Sequence, residues 1–240
     1  MTTLDSIPET TQEPPEAYSR EANFGKAWLD VDGNRCDTRN DVLGQQLSGV
    51  EYVPYGDAPS RCRGATVYSG LLDDPYTGRR IEFTRDSPNE VQIDHVVPLS
   101  WAWRNGAWQW TQEQRIEFAN DPENLLAVDG PSNQGKGDKG PGQWMPQNVG
   151  FHCEYAERFT TVVSSHGLTL PSEDREVLAD TLEACASSGG YEPSRGASGG
   201  EGIEMETIRE YAIMAVAVVL VLASVYSRMS KKRRRRPHRP

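Results

Sequence analysis

The sequence is short of positive charge, and lysine in particular is scarce. Lys136 and Lys139 are the only lysines between Lys26 and the C-terminal tail, and the formal net charge is −10. Eight basic residues fall within residues 228–240, so the rest of the chain holds 17 basic against 35 acidic residues, a formal charge of −18. Because a basic surface is the usual footprint of a nucleic-acid-binding protein, this balance argues against tight, nonspecific binding of nucleic acid.

Cysteine is also sparse, and none of the four cysteines belongs to a C-x-x-C pair. This spacing argues against a structural zinc site. Four cysteines can form two disulfides in three ways, and disulfides would indicate an oxidising compartment. The alternative is four buried thiols in a cytoplasmic protein. The residues concerned are Cys36, Cys62, Cys153 and Cys185.

One pairing of the cysteines has a geometric argument. Residues 151–165 and 172–186 are typical of two helices joined at a short turn around Gly167. If the helices run antiparallel, Cys153 and Cys185 lie at similar distances from that turn and can bridge the open end of the pair. The other two cysteines, Cys36 and Cys62, would then close a loop in the N-terminal half.

The first twenty residues lack an apolar run, a basic start and any hydrophobic periodicity. They are acidic and rich in Pro and Thr, so we expect residues 1–20 to be disordered. They also lack the features of a signal peptide. The length of 240 residues allows one substantial domain with appendages, which we place at residues 21–186.

Residues 64–84 predict a β-hairpin, in which GATVYSGLL and RRIEFTR flank the turn DDPYTG. Arg85, directly after the second strand, is a candidate contact for a substrate phosphate. The side chains expected to face a core are Val67, Leu71, Ile81 and Phe83. Further along, Thr111 with Gln114 forms a capping-box pattern, which predicts a helix.

Four tryptophans lie in the segment before that helix, at Trp101, Trp103, Trp108 and Trp110. Aromatic side chains of this kind can stack on nucleobases. They also fill hydrophobic cores, and we favour the core interpretation because the neighbouring strands need a surface to pack against.

Residues 91–138 contain the residues with the clearest chemistry. Asp94 and His95 precede an apolar run, Asn124 begins the strand-like NLLAV, and Asn133 and Lys136 lie in a polar, Gly-rich segment. Hydrolysis of a phosphodiester requires a deprotonated water and a cation that stabilises charge on the phosphoryl oxygens. His95 is the candidate base, because histidine accepts a proton near neutral pH.

Asp94 and Asn133 are the candidate metal ligands. A carboxylate and an amide oxygen suit one partly hydrated Mg²⁺ or Mn²⁺ better than Zn²⁺. Lys136 and Lys139 lie beside Asn133, and we predict that they contact a substrate phosphate. Because Asp94 and His95 would face opposite sides of a regular strand, we expect the strand to end or bend there.

The three motifs IDHVVP (93–98), NLLAV (124–128) and NQGKGD (133–138) resemble those of the HNH endonucleases, the ββα-metal or His-Me finger family. The sequence is also similar to a secreted bacterial branch of that family. The similarity lies in the motifs DPYTG (74–78) and FANDPENLLAVDGPSNQGKGD (118–138) and in the spaced cysteines. The resemblance covers roughly residues 22–186.

The resemblance implies an α+β fold with a ββα-metal core, which the predicted β-hairpin would precede and the predicted antiparallel helix pair would follow. It implies a DNA substrate, His95 as general base, Asp94 and Asn133 on one divalent metal, and Asn124 as the residue that shapes the active-site loop. The products would carry 5′-phosphate and 3′-hydroxyl ends. The third motif has Asn133 where His is common, which leaves the metal preference open.

The C-terminal region predicts a membrane anchor. Residues 187–206 are a Gly/Ser-rich linker, residues 207–228 hold an uncharged apolar run bracketed by Tyr211 and Tyr226, and residues 229–240 are basic. The positive-inside rule then places the tail in the cytoplasm and the domain outside. We therefore expect a single-pass membrane protein. No protein partner can be inferred.

The sequence is also compatible with two functions other than DNA cleavage. The chain could be a surface interaction module that retains the fold without turnover, which its acidity favours. It could also be a nuclease that acts on RNA.

Overall fold

A computed structural model describes residues 3–53 and 66–188. Small antiparallel sheets alternate with helices, which confirms the α+β class. The elements are α1 Arg20–Phe24, α2 Thr38–Gln46, β1 Ser48–Tyr52, β2 Val67–Asp73, β3 Arg80–Thr84, β4 Val91–His95, α3 Leu99–Arg104, α4 Gln112–Ala119, β5 Leu125–Asp129, α5 Gly130–Lys136, α6 His152–Ser165 and α7 Ser172–Ser187.

Side-chain caps fix where several helices begin. The predicted capping box at α4 is confirmed, since Thr111 accepts from the Gln114 N–H and the Gln114 side chain accepts from the Thr111 N–H. Asp37 caps α2. Asp129, the last residue of β5, caps α5 by accepting from the N–H of Ser132. Strand β5 therefore passes into α5 without a loop.

Strands β2 and β3 form the predicted hairpin, and β1 pairs with the free edge of β2. One expected core position is wrong: Leu71 is 38% exposed, and its neighbour Leu72 is buried. The cause is an irregular register between β1 and β2 near Glu51 and Tyr52. A one-residue slip moves side chains to the other face of the sheet.

Strands β4 and β5 form a separate antiparallel pair between two hydrophobic cores. Leu126 and Val128 belong to the first core, which also contains much of α6 and α7. Leu125 and Ala127, on the other face of β5, belong to the second core, which lies under α2 and the three-stranded sheet. Both faces of β5 are therefore packed against protein.

Helices α6 and α7 form the predicted antiparallel pair, and Cys153 is disulfide-bonded to Cys185 with 5.9 Å between their Cα atoms. Gly167 adopts a left-handed φ of 65° in the turn between them. Cys36 is also disulfide-bonded. Its predicted partner, Cys62, lies outside the described residues.

Removal of the α6–α7 disulfide is expected to destabilise the domain strongly. The bridge spans 32 residues, and in the chain-entropy model a loop of that size stabilises a fold by roughly 3 to 4 kcal/mol. We expect the Cys153→Ser/Cys185→Ser variant to lose about that much in urea unfolding under oxidising conditions. An unchanged unfolding midpoint would contradict this.

The N-terminal segment differs from expectation, because residues 3–18 are ordered against the domain. The side chains of Leu4 and Ile7 are each only 5% exposed. The Arg175 guanidinium on α7 donates to the carbonyls of Leu4 and Ile7 at 2.8 and 2.6 Å. The composition predicted disorder because it is poor in apolar residues, but two buried apolar side chains and the arginine that donates to their carbonyls help to hold the segment on the domain.

Among residues 3–53 and 66–188, none of the helices combines the length and the hydropathy that a membrane span requires. The predicted membrane helix (207–228), the basic tail (229–240) and nearly all of the predicted linker lie outside the described residues. Helix α7 ends at Ser187, close to the predicted domain end at residue 186.

Candidate active site

Strand β4 directs Asp94 and His95 to opposite faces. Asp94 pairs with Leu126 and His95 with Leu125 in a regular antiparallel register. The strand ends at His95, as expected, but it does not bend between the two residues. The Asp94 side chain therefore faces α5 and the first core, and the His95 side chain faces the side of the second core.

Asp94 is engaged in a buried cluster of hydrogen bonds. Its side chain is 5% exposed and accepts from Lys136 Nζ at 2.7 and 3.0 Å. The Tyr76 hydroxyl donates to the same carboxylate at 2.5 Å. Lys136 Nζ also donates to the His95 carbonyl at 2.7 Å. Burial lowers the pKa of Lys136, an effect that Asp94 opposes, and raises the pKa of Tyr76 well above its usual value.

The three predicted phosphate contacts differ in their exposure to solvent. Lys136 has no exposed surface, so its predicted contact with phosphate does not hold in this arrangement: the Asp94 carboxylate takes the ammonium into the core. Lys139 is exposed and donates to the Gly135 carbonyl. Arg85 is exposed beyond β3 and donates to the Val67 carbonyl. Lys136 is thus inside the domain, whereas Lys139 and Arg85 are on its surface.

Asn133 contacts β4 at Gln92, two residues before Asp94. Its amide nitrogen donates to the side-chain oxygen of Gln92 at 3.0 Å. Gln92 and Asp94 share one face of β4 and lie roughly 6.6 Å apart along the strand. Helix α5 therefore contacts β4 at two positions. Asn133 bonds to Gln92, and Lys136, one helical turn later, bonds to Asp94.

The residues as arranged do not fit one divalent ion at the predicted position. Ligand oxygens lie about 2.1 Å from Mg²⁺, so two ligands of one ion must be close neighbours. Asp94 instead faces the Lys136 ammonium, and Asn133 lies beside Gln92. Among the described residues there is also no cluster of three or more His, Cys, Asp or Glu side chains suited to a metal.

His95 is held in one tautomer. Its Nε2 lies 2.8 Å from the carbonyl oxygen of Ala119. A carbonyl can only accept, so Nε2 carries the proton and Nδ1 is left as the acceptor. The indole of Trp28 stacks on the imidazole, with 5.8 Å between ring centroids and 8° between ring planes.

The surroundings of His95 keep the ring neutral. Burial lowers the pKa of His95 from 6.5 to about 4, against the opposing effects of the Ala119 hydrogen bond and the Asp94 charge. At neutral pH the imidazole is therefore uncharged and can accept a proton at Nδ1.

Asn124, the residue directly before β5, bonds to the segment that follows His95. It is completely buried. Its side-chain oxygen accepts from the Val97 N–H at 2.8 Å, and its side-chain nitrogen donates to the Val97 carbonyl at 3.2 Å. The Asn124 carbonyl also accepts from the Val96 N–H. These three bonds tie the chain after His95 to the start of β5.

The β2–β3 turn supplies two residues that the sequence did not single out for the site. Tyr76 reaches Asp94, and Asp74 accepts from the Asp129 N–H at 2.8 Å. Both residues belong to the motif DPYTG, and a polar and an aromatic residue together in a tight turn could have indicated a role for each. The stacking of Trp28 on His95 had no sequence signal, because the two residues lie 67 positions apart.

Residues 37–180, more than half of the chain, match the model of a family described as GmrSD restriction endonucleases, C-terminal domain. A protein of Arthroderma benhamiae described as an uncharacterized secreted protein is 35% identical over 184 residues, which cover 76% of this chain and 82% of that protein. No solved structure gives a significant match. The region matched by the family model includes β4, β5 and α5 and begins after Trp28.

Proposed function

The chain belongs to the family of GmrSD restriction endonuclease C-terminal domains, and from this membership we propose that it hydrolyses phosphodiester bonds of DNA with His95 as the general base. In this proposal β4, β5 and α5 correspond to the ββα core of the HNH endonucleases. The observation that carries it is the state of His95 at the end of β4, with Nε2 bound to the Ala119 carbonyl and Nδ1 left as a proton acceptor.

The His95 ring suits the first step of phosphodiester hydrolysis. A water attacks phosphorus as it gives a proton to Nδ1, and the leaving oxygen departs with its bonding electrons. The Ala119 carbonyl holds the Nε2 proton in place and stabilises the imidazolium that forms. Asn124 keeps the segment after β4 fixed, so the position of the ring depends little on loop motion.

The dependence on one Mg²⁺ or Mn²⁺ stays a prediction. When bound, such an ion would supply positive charge to the phosphoryl oxygens. Asp94 and Asn133 remain its predicted ligands, but Asp94 would first have to release the Lys136 ammonium. No step of the proposed mechanism passes through the ion.

The surroundings of Asp94 favour a second candidate. Lys136 and Asp94 neutralise each other in the interior, and the chain is acidic. Both features suit a binding module that keeps the nuclease fold without turnover.

We further propose that the domain works outside the cell. Its relative is described as secreted, and disulfides such as Cys153–Cys185 are typical of oxidising compartments. Anchoring through residues 207–228 is part of this proposal. Added protease is expected to degrade the domain on intact cells, and full protection would contradict the outward orientation.

The first test is cleavage of supercoiled plasmid by the purified full chain with Mg²⁺, Mn²⁺ or EDTA, beside a structured RNA. The full chain is needed because residues 3–18 pack on the domain. We expect nicked and linear plasmid. Cleavage of RNA alone would favour the RNA alternative, and intact substrates in every condition would favour the binding module.

A further inference from the structure

The indole of Trp28 covers one face of the candidate base. The ring planes are 8° from parallel, with 5.8 Å between their centroids. Trp28 has a left-handed φ of 58°, a backbone conformation that is uncommon for a bulky residue and persists only where the surroundings impose it. The position of this side chain therefore needs a specific cause.

A small buried network supplies that cause. The hydroxyl and N–H of Thr38 both donate to the Leu29 carbonyl, at 2.6 and 3.1 Å. The Leu29 N–H donates to the side-chain oxygen of Asn120 at 3.3 Å. Thr38 and Asn120 are each 5% exposed or less. The residue directly after Trp28 is therefore fixed to the start of α2 and the end of α4.

The same network adjoins the other contact of His95. Ala119, whose carbonyl accepts from His95 Nε2, is the residue before Asn120. The Asn120 side chain also donates to the Ile116 carbonyl, which holds it against α4. The network of Thr38 and Asn120 thus fixes the residues beside both contacts of His95. These contacts are the Trp28 indole on the face of the imidazole and the Ala119 carbonyl at its edge.

We propose that Trp28 is a positioning residue for His95: its indole, together with the Ala119 carbonyl, prevents rotation of the imidazole and fixes the direction of Nδ1. This inference rests on the proposed function, in which Nδ1 takes the proton of the attacking water. Trp28 precedes the residues matched by the family model, so the match assigns it no role.

The competing role for Trp28 is simple filling of the second core, against which its side chain packs. The two roles predict different substitutions. Leucine can fill apolar space, but only a flat ring can stack on the imidazole. Trp28→Leu and Trp28→Phe therefore separate positioning from filling. Trp108, a partly buried tryptophan against the first core, provides a matched control as Trp108→Leu.

The test measures the reactivity of His95 and cleavage in parallel. Diethyl pyrocarbonate acylates neutral imidazole, and mass spectrometry of peptides gives the acylation rate at His95 in the folded full chain. We expect Trp28→Leu to raise that rate several-fold and to lower kcat for plasmid cleavage by roughly ten- to a hundredfold with little change in KM. Trp28→Phe should restore both values, and Trp108→Leu should change neither.

The acylation rate does not depend on turnover, so the two proposals can fail separately. If the wild-type chain cleaves no nucleic acid, the proposed function fails, and the His95 acylation rates alone decide the positioning of the ring. Equal acylation in folded Trp28→Leu and Trp28→Phe, each confirmed by thermal melting, overturns the inference. A Trp28→Leu variant with wild-type kcat overturns it as well.

Discussion

Replacing Lys136 with methionine is expected to lower the free energy of unfolding by about 3 to 5 kcal/mol. Lys136 has no exposed surface, and its ammonium is bound to the Asp94 carboxylate at 2.7 Å. Within the described part of the chain, methionine leaves a buried carboxylate whose one remaining side-chain partner is the Tyr76 hydroxyl. Removing one member of a buried ion pair costs far more than the pair itself contributes, because the remaining charge stays desolvated.

Lys139→Met is the matched control, three residues away on the surface. Its ammonium donates to one backbone carbonyl, and we expect the change in stability to stay within about 0.5 kcal/mol. Adding Asp94→Asn to Lys136→Met should recover part of the loss, because the buried charge is gone. Equal urea midpoints for Lys136→Met and Lys139→Met would contradict the assignment of a buried ion pair.

The same variants probe the predicted metal position. If Mg²⁺ or Mn²⁺ binds at Asp94, the ion and the Lys136 ammonium compete for one carboxylate. Ligands that bind only the folded state raise the melting temperature, so either ion should raise it more in Lys136→Met than in the wild type. An equal change in both proteins would argue against metal binding at Asp94.

Replacing His95 with glutamine is expected to reduce plasmid cleavage by roughly 10²- to 10⁴-fold, the usual contribution of a general base. Glutamine can still donate to the Ala119 carbonyl, so the fold should be retained, but it cannot accept a proton from water. His152→Gln is the matched control, because His152 is also partly buried with Nε2 on a backbone carbonyl, that of Pro146. Wild-type cleavage by His95→Gln would exclude His95 as the base.

The pKa of His95 adds a dependence on pH. Its folded value of about 4 lies below the unfolded value near 6.5, so between these values the unfolded chain binds the proton more tightly. Its contribution to stability is complete above pH 6.5 and is lost as the pH falls towards 4. Urea unfolding across this range should show a smaller loss of stability for His95→Gln than for the wild type. Parallel losses would contradict the shift.

Local signals in the sequence predicted much of the fold. The capping box at Thr111, the β2–β3 hairpin and the Cys153–Cys185 pairing each depend on residues close in sequence or on one short turn. The exposure of Leu71 was not predicted, because the irregular register between β1 and β2 cannot be read from the alternation of apolar and polar residues within β2 alone. The ordered N-terminus was missed because its stability depends on Arg175, far along the chain.

The candidate site was predictable in its members but not in their contacts. In the structure Asp94 and His95 lie on β4, Asn124 directly precedes β5, and Asn133 lies on α5, while their roles in a site stay predictions. Whether Lys136 points to a substrate or into the core is decided by tertiary packing, since its partner Asp94 lies on another element. The same holds for Trp28, whose position depends on the hydrogen bonds of its neighbour Leu29.

Chemical rescue of a His95→Gly variant tests whether the His95 imidazole is the general base. The glycine variant leaves a space beside the Ala119 carbonyl and Trp28 that is the size of the lost ring. Plasmid cleavage is measured with and without free imidazole, beside His152→Gly. We expect cleavage to be lost in His95→Gly, to increase with imidazole concentration, and to be close to wild type in His152→Gly. Cleavage by His95→Gly at the wild-type rate without imidazole would contradict this expectation.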